Sequence, residues 1–353
     1  DYVHPPLECV FTSMEEIGLL GAMEIDADKI SARRLINMDG GTASENVSVV
    51  SCAGGQVYNF RRTPAWEKAE GEALAFSIRG LLGGHSAGVM HLGRGNGLKL
   101  MARILAAVSR EMPVALASFI GGAKMNAIVS EADAVIVVPA GKADEAGQIG
   151  EKIAAEIKGE LSVSDPGFAF SWEKTETDRV MTAEDSKALI TFLQLLPDGI
   201  RSMSQEIKDL VVCSSNVGIL TMDGDTIDIC DCIRSSEDGL KAAVSAEMEA
   251  LAALTGFEAV KGTGFGGWKY DANSKLRALC ADVYEKMYGE KMEFQATHGG
   301  LECGEFKSKI PDLDIMVIAP WAREAHTPEE SLNLESFRRV YNYLLAVFEE
   351  LCR

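Results

Sequence analysis

Apolar and polar positions alternate with two periods along this chain, and the periods predict where strands and helices lie. At the start, Leu7–Thr12 is a short apolar run that predicts a strand, Gly18–Met23 opens a helix, and Arg34–Met38 predicts a second strand. Near the end, apolar residues recur at helical spacing over Ser274–Tyr288 and Leu334–Leu351. Strands are predicted between these helices, near Met292–Thr297 and at Asp314–Ala319. Both ends of the chain therefore predict strands alternating with helices, as in an α/β domain.

The middle of the chain has a different pattern, with longer alternating segments and fewer helices. Strands are predicted at Ala73–Gly80, Ala115–Ile120, Ile128–Val138, Val211–Leu220 and Ile227–Arg234. Helices are predicted at Asn96–Arg110 and near 143–158 and 240–254, while Asp165–Thr177 is predicted to be a loop. We expect an antiparallel sheet with helices on one face, an α+β arrangement.

Two small-residue segments divide these regions. Ser51–Gly55 is Ser-Cys-Ala-Gly-Gly, and Gly262–Trp268 is Gly-Thr-Gly-Phe-Gly-Gly-Trp. The sequence therefore predicts one α/β domain made of residues 1–56 and 263–353, with residues 57–262 inserted as a second domain.

Composition and charge exclude several classes of protein. With 353 residues the chain is long enough for two domains, and no apolar stretch in it is long enough to span a bilayer. The net charge of −19 argues against binding nucleic acid, which requires clustered lysine and arginine. No secretory signal is visible at the first residues, and the eight cysteines form no paired framework. We expect free thiols and a cytoplasmic protein that binds neither a membrane nor nucleic acid.

Carboxylates and histidines stand at the ends of predicted strands. Glu15 and Glu16 follow the first strand, Asp39 follows the second, and His298 and His326 follow later strands. Taken alone, an acidic pair is more often a solvated turn, and a single histidine is more often a capping or core residue. Together they favour a divalent-metal site, because ligands from distant segments converge where strands end.

His85 lies between glycines in Gly83–Gly88, directly after a strand of the inserted domain. It is either an ordinary turn histidine or a group that reaches an oxyanion in a neighbouring active site, in its own subunit or in a partner. The residues alone leave both alternatives open.

Several stretches, in order along nearly the whole chain, resemble one known family. The family is that of co-catalytic zinc peptidases and aminoacylases, and the chain most resembles the branch that cleaves Xaa-His dipeptides. The matching stretches are Ser13-Met-Glu-Glu-Ile-Gly, Leu35-Ile-Asn-Met-Asp, Ser51-Cys-Ala-Gly-Gly, Leu82-Gly-Gly-His-Ser, Asn126-Ala-Ile, Asn216-Val-Gly, Cys232-Ile-Arg-Ser, Gly267-Trp-Lys-Tyr-Asp-Ala-Asn-Ser, His298-Gly-Gly-Leu-Glu-Cys-Gly and His326-Thr-Pro-Glu-Glu.

This resemblance implies a metal-dependent catalytic site. Glu15 resembles the general base that activates water and later protonates the leaving amine. Glu16 and His326 resemble ligands of one zinc, and Asp39 resembles a ligand of a second. His85 resembles the histidine of the inserted domain that stabilises the tetrahedral oxyanion. The implied cofactor is zinc, two per active site in the full-length protein, and manganese or cobalt also suits such ligands.

The resemblance also implies how a substrate is held. Asn126 and Arg234 resemble groups that bind the C-terminal carboxylate of the substrate, and His298, Gly299 and Glu302 resemble the lining of its pocket. The implied substrate is a small dipeptide with an unblocked N-terminus, of the Xaa-His type. The fold implied is a zinc-peptidase-like catalytic α/β domain with an inserted α+β lid or dimerisation domain, and the implied assembly is a homodimer.

The chain departs from the family pattern in two places. The family has an N-terminal His-x-Asp segment and a Gly-Ala-Asp-Asn-Gly segment, which supply a histidine ligand and the aspartate that bridges both metals, and neither occurs here. We therefore expect the catalytic domain to be incomplete, its N-terminal part absent, and the chain as given to be inactive although its parent is a metallopeptidase. The alternatives are a catalytically silent, peptide-binding or dimerising fragment, and a hydrolase of N-acyl amino acids.

Overall fold

The chain folds into two units. The computed structural model describes residues 2–40, 44–223, 225–324 and 327–353. The first unit, called the α/β unit below, contains the described residues of Asp1–Gly54, Ser235–Asp238 and Phe265–Arg353. The second, called the inserted unit, contains those of Gly55–Arg234 and Gly239–Gly264. The catalytic and lid roles assigned to the two domains from sequence remain predictions.

Parallel strand pairs form the centre of the α/β unit. Arg34–Asn37 runs parallel to Asp314–Val317, with Arg34 opposite Asp314, and Val47–Val49 runs parallel to Glu293–Gln295. The Ser48 hydroxyl donates a hydrogen bond to the Val317 carbonyl at 2.8 Å and so links the two pairs. Two short strands, Ala322–Arg323 and Ser331–Leu332, pair antiparallel.

Helices cover these strands with their apolar faces. The helices of this unit are Leu20–Met23, Lys275–Tyr288, Glu302–Lys309 and Leu334–Glu350, with 3-10 turns at Glu15–Ile17 and Ala27–Lys29. In Lys275–Tyr288 the buried residues include Leu276, Cys280, Val283 and Tyr284, which lie three or four positions apart and therefore share one face. Together with residues of Leu334–Glu350 they form one core cluster, while Glu302–Lys309 packs in another.

One large sheet, with strands of different lengths, is the centre of the inserted unit. Among the described residues it has nine strands, in the order Ala169–Thr175, Glu72–Arg79, Ala132–Val138, Ala115–Gly121, Val211–Asp223, Thr226–Ser235, Gly54–Arg62, Glu258–Phe265, with Gly199–Met203 paired to Val211–Asp223. The first five pair antiparallel, as predicted for this region. Two smaller pairs join Trp66–Lys68 to Arg179–Met181 and Gly84–His85 to Ala127–Ile128.

The helices of the inserted unit bury its apolar core. They are Ser86–Val89, Gly97–Glu111, Ala143–Glu160, Ala183–Leu195 and Asp238–Thr255, with a 3-10 turn at Met90–Leu92. Gly97–Glu111 begins where the Asn96 side chain accepts a hydrogen bond from the Leu98 amide at 3.1 Å, a standard N-terminal cap. Its buried residues pack with Phe76 and Ile136 of the sheet in one large cluster.

Two sequence predictions about individual elements are wrong. Leu7–Thr12 forms no strand: the described residues offer it no strand partner, and Phe11 in it is 92% exposed. Asp165–Thr177 is not a loop throughout, because Ala169–Thr175 pairs with Glu72–Arg79 at one end of the sheet. Such a mostly exposed strand has a weak apolar signal, and only Phe170 and Trp172 mark it as a strand.

Within the described residues, no helix combines the length and the apolar content that crossing a bilayer requires.

Candidate active site

Glu15 and Glu16 lie on a tight, strained loop of the α/β unit. They begin a 3-10 turn, with Glu15 half-buried and Glu16 exposed. Met14 and Leu19, on either side of this turn, both adopt left-handed backbone conformations, with φ of 58° and 62°. Such conformations cost side-chain-bearing residues about 1–3 kcal/mol each and occur most often at functional sites. The backbone therefore holds the two carboxylates in a conformation that local preference alone would not select.

Hydrogen bonds across the base of this loop close it. The Leu19 amide donates to the Glu15 carbonyl at 2.9 Å, and the Gly21 amide donates to the Ser13 carbonyl at 2.9 Å. A Cβ at position 21 would overlap the Ser13 carbonyl oxygen and lie 2.5 Å from the Ser13 nitrogen. Because both are backbone atoms, only glycine at position 21 lets the loop close in this form.

Asp39 follows the strand Arg34–Asn37 and is exposed. Its amide donates a 2.6 Å hydrogen bond to the side-chain oxygen of Asn37, which fixes the turn after the strand. The next residue, Gly40, lies against the neighbouring strand, where a Cβ would come within 2.7 Å of the Val317 side chain. The end of this strand therefore presents Asp39 to solvent on a backbone that is held from both sides.

A buried thiol lies beneath Asp39. Burial, and then the nearby Cys52 thiol, raise the pKa of Cys303 well above its usual range, although the Asn37 side chain hydrogen-bonds to it. Burial likewise raises the pKa of Cys52 to about 11. Since the thiolate is the form that binds metals, both cysteines act here as small apolar core residues.

The metal-ligand set predicted from sequence is only partly visible. His326 lies outside the described residues, so its position relative to Glu16 and Asp39 is not described. In the ranges that are described, no three histidine, cysteine, aspartate or glutamate side chains come together in a way that could hold a metal ion. Glu16 and Asp39 alone do not make a site.

The predicted pocket residues His298, Gly299 and Glu302 lie on one stretch of the α/β unit. The Gly299 carbonyl accepts a hydrogen bond from the Ala53 amide at 2.9 Å, so this stretch is attached to the segment before the inserted unit. His298 is buried, and Glu302 begins the helix Glu302–Lys309. One carboxylate oxygen of Glu302, Oε1, is buried without a hydrogen-bond partner among the described residues. A buried acceptor without a donor is uncommon in folded proteins and is available to a ligand.

In the inserted unit, the structure brings His85 and Asn126 together. The two-residue strand Gly84–His85 pairs with Ala127–Ile128, and the Ser86 amide donates to the Asn126 carbonyl at 2.8 Å. The side-chain amide of Asn126 lies 3.3 Å from His85 Nε2. The Ala87 amide donates to His85 Nδ1 at 3.1 Å, so the neutral ring carries its proton on Nε2. The Asn126 atom beside that N–H is its side-chain nitrogen, which only donates, so the amide must turn its oxygen to Nε2 for the two side chains to hydrogen-bond.

Arg234 completes this group. Although His85 is exposed as a residue, partial burial of its ring, and then the positive charge of Arg234, lower its pKa. The ring is therefore uncharged at neutral pH and can donate from Nε2. Arg234 itself is 9% exposed, and within the described chain its Nε has no hydrogen-bond partner.

Two residues not identified from sequence hold the loops that carry this group. Asp165 is buried and accepts hydrogen bonds from the amides of Leu82 at 2.7 Å and Gly95 at 2.8 Å, at the two ends of the His85 segment, residues 82–95. Asn216 is buried and contacts the backbone on both sides of Asn126. The only sequence signal for Asn216 is its place in the Asn-Val-Gly stretch, and Asp165 had none.

The α/β unit thus presents exposed carboxylates at its loops, and the inserted unit brings a histidine, an asparagine and an arginine together. Comparison with known proteins identifies the class, a metallopeptidase. Residues 2–350 match Peptidase family M20/M25/M40, and the chain belongs to that family.

Two similar proteins are named as dipeptidases. The cytosol non-specific dipeptidase of Escherichia coli is 32% identical over 352 residues, which are 99% of this chain and 72% of that protein. The crystal structure of aminoacylhistidine dipeptidase from Vibrio alginolyticus matches with a TM-score of 0.90 and 30% identity, covering 96% of this chain and 69% of that one. The family resemblance and the fold class predicted from sequence are confirmed.

Proposed function

We propose that this chain hydrolyses dipeptides with a free N-terminus, preferably those with histidine in the C-terminal position, by means of a metal-activated water. The observation that carries the proposal is the match to the Vibrio aminoacylhistidine dipeptidase, at 30% identity over 96% of the chain. The E. coli relative is also a dipeptidase, named as non-specific. Dipeptide hydrolysis is therefore the activity common to both relatives, and the preference for histidine is the narrower part of the proposal.

The α/β unit would supply the metal ligands and the base. Glu16, Asp39 and His326 are the proposed ligands, and their carboxylate oxygens and imidazole nitrogen are donors that suit zinc, manganese or cobalt. The described residues do not assemble the set without His326. When bound, divalent cations lower the pKa of a water molecule and polarise the peptide carbonyl. Glu15 would accept the proton of that water and return it to the leaving amine.

Three of the proposed substrate-binding residues, His85, Asn126 and Arg234, belong to the inserted unit. His85 is uncharged at neutral pH and carries its proton on Nε2, so it can donate to the oxyanion that develops on the attacked carbonyl. Asn126 and Arg234 would bind the C-terminal carboxylate, and the unpaired Nε of Arg234 is a donor available for that contact. His298, Gly299 and Glu302 would line the pocket, where the unpaired Glu302 oxygen could accept a hydrogen bond from the substrate.

Both alternatives raised by the sequence are less favoured. A silent fragment and an N-acyl amino acid hydrolase each lack a counterpart in the two relatives described, which are both named as dipeptidases. We also propose a homodimer and, by analogy with the cytosolic E. coli relative, a cytoplasmic location.

The test is hydrolysis of β-alanyl-histidine by this chain, together with the amount of metal bound per chain after dialysis against buffered zinc. A panel of other dipeptides and N-acetyl amino acids measures specificity. We expect the chain to bind zinc and to hydrolyse dipeptides, with the highest kcat/KM for those with C-terminal histidine. Faster turnover of N-acetyl amino acids would replace the proposed substrate class, and absence of both metal and turnover would favour the silent fragment.

A further inference from the structure

The loop that carries Asn126, residues 122–127, rests on the long strand Val211–Asp223 of the same unit. Asn216 on that strand donates from its side-chain nitrogen to the carbonyls of Met125 and Ala127, each at 2.9 Å. These two carbonyls lie on either side of Asn126. One side chain therefore fixes the backbone immediately before and immediately after the residue proposed to bind the substrate carboxylate.

Close backbone packing supports the same contact. A Cβ at Gly218, two residues along the strand, would lie 2.5 Å from the Met125 carbonyl oxygen. At the start of the loop Gly122 has φ of +76°, and a Cβ there would overlap the Gly218 carbonyl. The loop thus approaches the strand more closely than side chains at either glycine would allow, and this brings the two carbonyls within reach of Asn216.

The contact extends from Asn126 to His85. The Asn126 carbonyl accepts the Ser86 amide at 2.8 Å, and Ala127 lies opposite His85 in the two-residue strand pair. A shift of the Asn126 loop would therefore move the backbone at His85 as well. Both proposed substrate-binding groups depend on the same anchor.

Asn216 is poorly explained as a stabilising residue. It is 1% exposed, and its side-chain oxygen is buried without a hydrogen-bond partner among the described residues. A buried acceptor left unpaired is destabilising, and this penalty offsets much of what two neutral hydrogen bonds contribute. The two hydrogen bonds of Asn216 do, however, fix the position of the Asn126 loop.

We propose that Asn216 is a positioning residue, which acts through Asn126 and His85 and does not itself touch the substrate. This inference rests on the proposed function, because it gives Asn126 a role in binding the substrate. It predicts that loss of the Asn216 side chain disturbs the geometry of the loop and, through it, hydrolysis.

The first test requires no activity. Amide hydrogen exchange in the full chain is compared between the wild type, Asn216→Ala and the control Ser215→Ala. Ser215 is the neighbouring residue on the same strand, is buried, and donates to Asp231 at 2.7 Å, away from the loop. We expect at least about tenfold faster exchange at the Ser86 and Ala127 amides in Asn216→Ala only. Unchanged exchange there would overturn the proposal.

The second test is a double-mutant cycle on kcat/KM for β-alanyl-histidine. Asn216→Ala should lower kcat/KM by about 100-fold, as expected when a substrate-binding group is displaced. In an Asn126→Ala background the same change should add less than about threefold, because the group it positions is already gone. Additive losses would overturn the proposal. If Asn216→Ala does not fold, Asn216→Ser keeps a polar side chain too short to reach both carbonyls and replaces it in both tests.

These tests separate the two hypotheses. A wild-type chain that hydrolyses no dipeptide would refute the proposed function, and the exchange experiment would still decide whether Asn216 fixes the loop.

Discussion

Replacing Arg62 should destabilise the inserted unit far more than replacing its neighbour Arg61. Arg62 donates to one carboxylate oxygen of Asp185 from Nε at 2.8 Å and from a terminal nitrogen at 2.5 Å. The other carboxylate oxygen accepts the Ala65 amide at 2.9 Å and the Thr182 hydroxyl at 2.7 Å. The side chains of Arg62 and Asp185 are only 17% and 9% exposed. Arg62 therefore belongs to a buried, fully hydrogen-bonded ion pair.

The expected loss of stability follows from the groups that Arg62→Met would leave without their partner. In Arg62→Met, Asp185 keeps two of its four hydrogen bonds but loses its counter-charge, and the carbonyls of Thr255 and Gly256 lose the donor that caps their helix. Breaking a buried pair costs about 3–5 kcal/mol, and the two remaining bonds place this case near 3 kcal/mol. Arg61 pairs with Asp228 at 2.9 Å, with side chains 51% and 34% exposed, and such a pair contributes less than about 1 kcal/mol.

The assay is urea unfolding of the wild type, Arg62→Met and Arg61→Met. With a slope of about 3 kcal/mol per molar urea, the Arg62 variant should lose about 1 M in midpoint, and the Arg61 variant at most about 0.3 M. Equal midpoints for the two variants would refute the reasoning, since it rests on the difference in burial between adjacent arginines.

The pH dependence provides a second check. Burial alone would raise the pKa of Asp185, but hydrogen bonds from Thr182, Ala65 and Arg62, with the charge of Arg62, outweigh it, so the pKa lies below its usual range. A carboxyl group whose pKa is lowered by folding contributes its full stabilisation above its pKa in the unfolded chain, about 3.9. This contribution is lost as the pH falls through the pKa in the folded protein. The difference between wild type and Arg62→Met should therefore shrink below about pH 4. A difference that grows there would contradict the assignment.

Three further predictions concern the candidate site. Glu15→Gln should keep its bound metal and lose several orders of magnitude in kcat, because an amide cannot accept the proton. Turnover and metal content are measured together, and retained turnover would refute the assignment of Glu15 as the base. Gly21→Ala should lower metal affinity in a zinc titration, because its Cβ would overlap the Ser13 carbonyl, whereas Gly159→Ala, which has open space around it, should bind zinc like the wild type. The ring of His85 should titrate in NMR with a midpoint below the usual value of about 6.5, as burial and Arg234 require, and a midpoint above it would contradict the neutral-donor role.

Periodic segments were predicted well because their signal is local. The alternating stretch predicted at Ala73–Gly80 is the strand Glu72–Arg79, and the helix predicted at Asn96–Arg110 is Gly97–Glu111. In both cases one face is buried, so the pattern of apolar residues directly records the packing. The family likewise followed from motifs that are contiguous in sequence.

Elements with weak local signals could not be predicted in this way. The helix Glu302–Lys309 was not predicted, and Ala169–Thr175 was predicted as loop because most of this strand is exposed. The helix Ala183–Leu195 was also missed, although Thr182 caps it and its buried residues recur at helical spacing. The strand is defined by contacts across the fold: Trp172 packs where a Cβ on Gly147 would stand. The catalytic, metal and substrate-binding residues remain predictions, since the structure describes their surroundings and not a bound ligand.

The inserted unit explains why a motif search finds the candidate site residues but not the residues that hold them in place. The His85 segment is fixed by Asp165, and the Asn126 loop is fixed by Asn216, each a buried side chain at least 70 residues away in sequence. Backbone amides donate to Asp165 and backbone carbonyls accept from Asn216, so the contacts do not depend on the side chains at the contacted positions, and no pairwise motif arises. The cost of a substitution at Asp165 or Asn216 should consequently appear in loop geometry and catalysis before it appears in stability. Transfer of the His85 and Asn126 motifs to another sheet without these two anchors should leave both loops without their native geometry.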